Sequence, residues 1–343
     1  MDKNLEQIIS ERTENFRTDR LTMSFGEIMN MYKEGEININ PDFQRSFRWD
    51  KEKQTNLIES ILLGIPIPPI FVAEDENGVW ELVDGLQRIS TILSFFELLQ
   101  NVPQEKNSLI LRKGKIIPEL EEVSLKNMSL KLRLRIKRAT VGVEVLNRNS
   151  DNTMKYELFK RLNTTSEGLS EQEMRNAIYS GAFNSFINNL ANNKIFVELM
   201  KPSKKQTETM YLSELVLRYF AFKDSIIMNN GVRNHLDNYM LQNLQMDNFN
   251  EKDEREEFLK VITFIKESFG TDIFKAKNGQ VTKNLYDSLT YVLREKFDKY
   301  QNNITLFKEK VEELHEDETY KEITTKKRET RTQDRIVRVL EIF

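Results

Sequence analysis

The chain has 343 residues, with 51 lysines and arginines against 54 aspartates and glutamates, which gives a formal net charge of −3. It has no cysteine, so disulfides, thiolate metal sites, iron–sulfur clusters and thiol nucleophiles are excluded. Its two histidines, His235 and His315, lie far apart and outside any H-E-x-x-H motif, which argues against a histidine zinc site or an HNH nuclease centre. The twelve glycines form neither a P-loop nor a G-x-G-x-x-G pattern. At roughly 100–200 residues per domain, this length predicts two domains.

Composition and the missing targeting signals predict a soluble, cytoplasmic protein. The chain is 39% hydrophobic and 31% charged, which allows a sizeable core and a solvated surface. Its first residues, MDKNLEQIISERTENF, are too charged for a signal peptide. The longest apolar run, Ile61 to Ala73, is broken by Gly64 and is shorter than the ~20 residues that span a membrane. Because the net charge is nearly neutral, any contact with nucleic acid must be local.

Capping signals predict two helices in the first part of the chain. Ser24 is a candidate N-cap for FGEIMNMYKEG, which Gly35 ends. Asp50 is a candidate N-cap for KEKQTNLIESILLG, where apolar residues recur at helical spacing up to Gly64.

A hairpin and a strand–turn–helix unit follow these helices. IFVAED and VWELVD flank Asn77-Gly78, a dipeptide typical of tight hairpins. The second strand ends at Asp84-Gly85, and LQRISTILSFFELLQ continues with helical periodicity. A weaker hairpin signal lies at Lys113-Gly114, and residues 139–146 (ATVGVEVL) resemble another strand.

The pattern becomes helical throughout after residue 148. MKYELFKRLN reads as one helix, and Ser170 with Glu173 forms a capping box that opens the next. Further amphipathic segments continue to the last residues. We therefore expect an α+β fold with an N-terminal domain over residues 20–148 and an all-α helical domain over residues 149–343.

The strand–turn–helix junction DGLQRIST is a candidate for phosphate chemistry. A helix N-terminus presents unpaired N–H groups and the positive end of the helix dipole, which favour anions. Gly85 permits the tight turn, Arg88 can grip a phosphate, and the hydroxyls of Ser90 and Thr91 can add donors. Asp84 can hold a metal ion or orient a water molecule. The alternative is that Asp84 caps the helix and Arg88 pairs with a surface carboxylate.

A second candidate segment, DFQRSFRW, directly precedes the helix that Asp50 caps. Its arginines, glutamine and aromatic residues suit contacts with anions or bases. The aromatic residues are more simply explained as core anchors. Gln44 and Arg45 have no such explanation, so we assign them to the candidate site.

Two basic segments are candidate nucleic-acid contacts. KLRLRIKR has five basic residues and no acidic one, and it fits a strand with one basic face or, nearly as well, a helix. KEITTKKRETRTQDRIVR has seven basic and three acidic residues. The alternative for both is an ordinary solvated surface, which in the second segment would pair with EELHEDE just upstream. The candidate DNA-contact residues are Lys131, Arg133, Arg135, Lys137, Arg138, Arg328 and Arg331.

Four segments form a specific pattern by their order and spacing: PDFQRSFRWDKEKQTNLIESILLGIPIPPIFV, WELVDGLQRISTI, ELFKRLNTTSEGLSEQEMRNAI and SELVLRYFAF. Together they resemble the N-terminal domain of GmrSD-type (type IV, modification-dependent) restriction enzymes. The resemblance implies a ParB/sulfiredoxin-like fold with a nucleotide site built on an Asp-Gly-Gln-Gln-Arg motif, which in this family is associated with NTP binding or hydrolysis that regulates DNA restriction. The matching positions are Asp84, Gly85, Gln87 and Arg88 in the motif, and Gln44 and Arg45 in an upstream Gln-Arg pair.

The sequence departs from the family pattern in two places. Leu86 stands where the motif has its first Gln, and this change is harmless if the residue faces the core. GmrSD-type enzymes also carry an HNH nuclease half, for which this sequence has neither the length nor the histidines. We therefore expect a stand-alone member without that half.

The resulting hypothesis is a nucleotide-binding, NTP-hydrolysing regulatory module of a prokaryotic restriction or anti-phage defence system. An NTP and Mg²⁺ are the expected cofactors, with Asp84 positioning the metal or the attacking water and Gln44 or Gln87 orienting that water. DNA and a partner nuclease or methyltransferase are the expected partners. The alternative is a DNA-binding or scaffold protein with a vestigial nucleotide site that works through a partner nuclease.

Overall fold

The computed structural model of the protein describes residues 5–6, 9, 18–39, 49–74, 77–100, 102–146, 170–179, 181–224, 231–247, 249–275, 282–325 and 331–343. The chain divides into two units, Met1–Leu169 and Ser170–Phe343. The boundary predicted near residue 148 lies outside the described residues. Within the described ranges, no helix combines the length and the apolar character that a membrane crossing requires.

The first unit has one mixed five-stranded sheet with helices, which confirms the predicted α+β class. Its strands are β1 (Thr18–Ser24), β2 (Ile37–Asn38), β3 (Ile70–Glu74), β4 (Trp80–Asp84) and β5 (Thr140–Leu146). Its helices include α1 (Phe25–Glu34), α2 (Lys51–Leu63), α3 (Leu86–Phe95) and α4 (Leu130–Arg138). The strand order is β1-β5-β3-β4-β2; β1–β5 and β3–β4 are antiparallel, and β5–β3 and β4–β2 are parallel.

The predicted caps and the predicted hairpin are confirmed. The side chains of Ser24 and Asp50 accept hydrogen bonds from backbone N–H groups in the first turns of α1 and α2, at 3.1 and 2.8 Å. Gly35 and Gly64 end these helices in the left-handed conformation, which costs a residue with a Cβ atom more than it costs glycine. The Asn77-Gly78 turn joins β3 to β4.

Burial alternates along β5 and anchors the sheet in the core of this unit. The buried positions on one face are Val141, Val143 and Val145. Glu144, on the other face, forms an ion pair with Arg20 of β1. Ile58 of α2 and Leu93 of α3 are fully buried in the same apolar cluster. This packing fixes α3 against the sheet, directly after the last residue of β4.

The sequence does not predict β1, and the structure supplies the reason. β1 is an edge strand, paired only with β5 in the sheet order. Its Asp19, Arg20, Leu21 and Thr22 are all exposed, so the strand shows little of the apolar alternation that reveals a half-buried strand.

The weak hairpin predicted at Lys113-Gly114 is wrong, since no strand forms on either side of it. Side chains of α2 hold this segment instead: Thr55 and Glu59 accept hydrogen bonds from three backbone N–H groups within residues 112–117, at 2.7 to 2.8 Å. These backbone groups are thus paired without a second strand.

KLRLRIKR forms most of helix α4, which decides between the two conformations that its sequence allows. Ser129 caps this helix by accepting a hydrogen bond from the N–H of Leu132. Only Ile136 among its residues is buried, and the basic residues of the segment are exposed or half-buried. Leucine, lysine and arginine are all good helix formers, so the local propensity agrees with the outcome.

The described part of the second unit is helical, as predicted. Its helices are α5 (Glu171–Ile178), α6 (Ala182–Ala191), α7 (Lys194–Met200), α8 (Lys204–Glu208), α9 (Tyr211–Asp224), α10 (Gly231–Gln242), α11 (Glu251–Phe269), α12 (Lys283–Tyr300), α13 (Ile304–Glu316), α14 (Glu318–Thr325) and α15 (Arg331–Ile342). The capping box of Ser170 and Glu173 is present at the start of α5. The helix predicted from MKYELFKRLN lies outside the described residues.

A buried ionic cluster joins three helices of this unit. Asp287 of α12 is 1% exposed and accepts hydrogen bonds from Arg218 Nε of α9 at 2.9 Å and from Arg335 Nη2 of α15 at 2.8 Å. Arg218 also lies 3.6 Å from the carboxylate of Glu214, so Asp287 is the shared partner of both guanidinium groups but not the sole carboxylate near them.

We expect Asp287→Asn to destabilise the protein by about 3–5 kcal/mol, because it leaves the buried Arg335 without a carboxylate partner among the described residues and Arg218 with Glu214 alone. Thermal unfolding followed by circular dichroism measures this loss. Asp317→Asn is the matched control: Asp317 pairs with the half-buried Arg338 at 2.6 Å, and the asparagine keeps the hydrogen bond from the N–H of Tyr320. The control should lose less than about 1 kcal/mol. Equal losses in the two variants would contradict this account of the cluster.

Candidate functional site

Gly85 makes the tight connection between β4 and α3. It lies between Asp84, the last residue of β4, and Leu86, the first of α3, with φ at +101°. A Cβ atom at this position would lie 2.5 Å from Ile70 Cγ2, so a larger residue must displace the Ile70 side chain. Among the described residues no side chain caps α3. The N-terminus of α3 therefore presents the positive end of the helix dipole without a capping side chain from the described residues.

Arg88 and Asp84 form an ion pair across this turn. Arg88 Nη2 donates to Asp84 Oδ2 at 2.8 Å and to the carbonyl oxygen of Pro69 at 3.0 Å. The Arg88 side chain is 16% exposed, and its buried Nε has no hydrogen-bond partner. The alternative is met in part: Asp84 does not cap the helix, but Arg88 does pair with a partly exposed carboxylate, that of Asp84 itself. Two hydrogen bonds from Nη2 thus hold the guanidinium in place.

Gln87 contacts the backbone of the chain that leads into α2. Its Oε1 accepts a hydrogen bond from the N–H of Trp49 at 3.0 Å. Gln54, in the first turn of α2, donates from Nε2 to the carbonyl oxygen of Trp49 at 2.8 Å. The sequence does not predict Trp49, Gln54 or Pro69 in this site. Trp49 and Pro69 take part through backbone groups and Gln54 through a side-chain amide, and no sequence motif marks such contacts. Gln44 and Arg45 lie outside the described residues.

The expectation that Ser90 and Thr91 supply phosphate donors requires correction. Ser90 is 1% exposed and Thr91 is fully buried. The Thr91 hydroxyl donates to the carbonyl oxygen of Gln87 at 2.6 Å, the usual back-bond of a threonine inside a helix. Both side chains point away from solvent and are unavailable to a ligand at the helix N-terminus in this arrangement.

Leu86, where the family motif has glutamine, is half-buried and packs against the apolar core of the first unit. This position therefore contributes to packing, which agrees with the interpretation that the departure is harmless.

Asp84 is an isolated carboxylate. No group of three or more histidine, cysteine, aspartate or glutamate residues that could hold a metal ion occurs in the described ranges. The half-exposed Asp84 suits Mg²⁺ that arrives on phosphates, because such Mg²⁺ sites use one or two carboxylates and complete the shell with phosphate oxygens and water. Within the described part of the chain, these carboxylates do not form an all-protein metal cage.

The basic residues of α4 lack acidic partners. Lys131, Arg135, Lys137 and Arg138 are exposed and Arg133 is half-buried, and among the described residues none of the five pairs with a carboxylate. Lys137 Nζ lies 5.5 Å from the centre of the Phe96 ring. The positive charge of this helix is therefore not neutralised within the described chain.

The basic segment near the C-terminus behaves differently, as its alternative interpretation proposed. Lys321 pairs with Glu318 at 2.7 Å, and Arg338 pairs with Asp317 at 2.6 Å, both within the acidic stretch upstream. Arg335 belongs to the buried cluster around Asp287. Arg328 and the side chain of Arg331 lie outside the part of the chain that the structure describes.

The first unit is thus a mixed-sheet α+β domain whose DGLQR segment forms a strand–glycine–helix junction with an uncapped N-terminus. Residues 25–180 match the model of the family described as the GmrSD restriction endonuclease, N-terminal domain. The similarity to the GmrSD N-terminal domain family covers these residues, which are fewer than half of the 343 in the chain. Neither a curated protein nor a solved structure matches this chain.

Gly85→Ala tests the steric requirement of the junction. We expect it to lower the free energy of unfolding by about 2–4 kcal/mol, since a left-handed conformation at alanine and overpacking against Ile70 add. Urea unfolding followed by tryptophan fluorescence reports on this unit, because both tryptophans, Trp49 and Trp80, lie in it.

Gly64→Ala is the matched control for this prediction. Gly64 also has a positive φ, +77°, but no atom lies within 4 Å of the Cβ position, so the expected loss is about 1 kcal/mol. If Gly85→Ala costs no more than Gly64→Ala, the close approach to Ile70 does not constrain the turn.

Proposed function

We propose that this protein is a regulatory component of a restriction or anti-phage defence system, and that it binds an NTP with Mg²⁺ at the N-terminus of α3. The single observation that carries the proposal is the uncapped helix end beside a guanidinium that Asp84 and the Pro69 carbonyl hold in place. Helix N-termini and arginine are the usual partners of phosphate groups. The similarity of residues 25–180 to the GmrSD restriction endonuclease N-terminal domain supports the restriction context.

The residues at the junction have separate roles in phosphate binding. The backbone N–H groups of the first turn of α3 and the guanidinium of Arg88 bind phosphate oxygens. Asp84 lies next to Arg88 and positions either the metal or the attacking water. Mg²⁺, when bound, neutralises charge that develops on the phosphates. Because Oε1 of Gln87 already accepts from Trp49, Gln44 is the better candidate to orient the water.

We expect Arg88→Ala to weaken NTP binding by about ten- to a hundredfold, because a charge-assisted hydrogen bond contributes about 1.5–3 kcal/mol. Asp84→Asn should remove the dependence of binding on Mg²⁺ and abolish turnover. Isothermal titration of the purified full chain with each NTP, with and without Mg²⁺, measures both effects.

Arg112→Ala is the matched control for these variants. Arg112 belongs to the same unit, has a 57% exposed side chain and lies 4.0 Å from Glu122, so its loss should leave nucleotide binding unchanged. A wild-type chain that binds no NTP, or binding that neither Arg88→Ala nor Asp84→Asn alters, would refute the proposal.

A second candidate function is DNA binding through α4, in a scaffold protein whose nucleotide site is vestigial and whose partner nuclease cuts the DNA. The observation that favours it is the set of α4 cations without carboxylate partners. Phosphate neutralisation by such cations makes binding depend on salt. The paired basic residues near the C-terminus do not offer the same surface.

We expect Lys131→Glu and Arg135→Glu each to weaken DNA binding and to reduce the slope of log K against log salt by about 1. Lys131 lies in the first turn of α4, where a glutamate favours the helix, so this variant separates binding from folding. Lys115→Glu, an exposed site of the same unit, is the control and should have little effect. Gel shifts at several salt concentrations measure the slope. No binding by the wild type at low salt would exclude this function.

A further inference from the structure

Trp49 has both of its backbone polar groups held by glutamine side chains. The N–H donates to Gln87 Oε1 at 3.0 Å, and the carbonyl oxygen accepts from Gln54 Nε2 at 2.8 Å. The two glutamines come from the first turns of different helices, α3 and α2. At Trp49, the chain that leads into α2 is therefore hydrogen-bonded to the first turn of α3.

Both hydrogen bonds are poorly accessible to competing water. Gln54 is 7% exposed, and Trp49 and Gln87 are half-buried. Trp49 belongs neither to a strand nor to a helix, so no regular backbone ladder replaces these bonds if a glutamine is lost. A half-buried backbone N–H left without an acceptor lowers the stability of the fold. We therefore expect position 87 to require a side chain that can accept a hydrogen bond.

The chemistry of the amide fixes which atom of each glutamine matters. Gln87 acts here as an acceptor, a role that a glutamate can also fill but a methionine cannot. Gln54 acts as a donor, a role that an ionised glutamate cannot fill. A carbonyl oxygen that already accepts from the backbone is a poor choice for orienting the water that attacks a phosphate.

We infer that Gln87 is a positioning residue and not a catalytic one: through Trp49 it sets the chain entering α2 against the phosphate-binding end of α3. This inference rests on the proposed nucleotide site. Its consequence is that the second glutamine of the motif controls how well the site is assembled, and hence nucleotide affinity, while it leaves the chemical step unchanged.

Hydrogen exchange at the tryptophan amides tests the contact directly. The chain has two tryptophans, so ¹⁵N-tryptophan labelling gives two backbone amide signals. The Trp80 N–H donates to the carbonyl oxygen of Glu36 at 2.9 Å and is the internal control. A Trp80→Phe variant assigns the signals.

Gln87→Met should accelerate exchange at Trp49 by about fivefold, the equivalent of one ordinary hydrogen bond, and should leave Trp80 unchanged. Gln87→Glu, which keeps the acceptor, should retain the protection of Trp49. Gln54→Glu should lose the hydrogen bond to the Trp49 carbonyl oxygen. Both Gln54→Glu and Gln87→Met should raise the Kd for the Mg²⁺–NTP complex and leave the turnover rate at saturation unchanged.

Two outcomes would overturn the inference. Unchanged exchange at Trp49 in Gln87→Met would show that the contact does not hold the chain. Reduced turnover at saturation with an unaltered Kd would instead make Gln87 catalytic. Failure of the proposed function itself is distinguishable: the wild type would then bind no NTP, whereas the exchange at Trp49 would still respond to Gln87→Met.

Discussion

The close approach of Gly85 to Ile70 is the constraint on which the proposed site depends. A backbone at φ +101°, with no room for a Cβ atom, lets α3 begin one residue after β4 ends. A longer connection would separate Asp84 from Arg88 and would allow a side chain to cap the helix. Because the turn is this short, the carboxylate, the guanidinium and the uncapped helix end share one small region, and the packing of α3 on the sheet holds them there.

The pairing of charges, more than their number, separates the candidate functional surfaces from the structural ones. Arg218 and Arg335 pair with Asp287 inside the second unit, Arg218 pairs with Glu214 as well, and Arg338 is neutralised at the surface of that unit. The cations of α4 have no such partners in the described chain. Arg88 is intermediate, because one carboxylate and one carbonyl oxygen both accept from its Nη2 and its side chain is partly exposed. Anchoring of this kind reduces the conformational entropy lost when a phosphate binds.

Much of the local structure follows from the sequence, because local signals determine it. The caps at Ser24 and Asp50, the Asn77-Gly78 turn and the capping box at Ser170 depend on neighbouring residues only, and all four are confirmed. The edge strand β1 and the segment around Gly114 depend on distant partners and were missed or wrongly predicted. The same holds for the candidate site, where the local motif correctly predicts the strand–turn–helix junction at Gly85.

Packing determines the features of the candidate site that the motif does not predict. Helical periodicity does not show how much of α3 is buried, so the sequence predicts phosphate donors at Ser90 and Thr91, whose side chains are buried. The contact between Gln87 and Trp49 joins a side chain to a backbone group 38 positions away, and no residue type marks such a bond in a sequence.

Hydrogen–deuterium exchange across the whole chain, with and without Mg²⁺ and a non-hydrolysable NTP, tests the central claim most directly. The account predicts new protection of the backbone amides from Gly85 to Arg88, in the wild-type chain and not in Arg88→Ala. A wild-type chain that gains no protection at this helix end while nucleotide is bound elsewhere would contradict it.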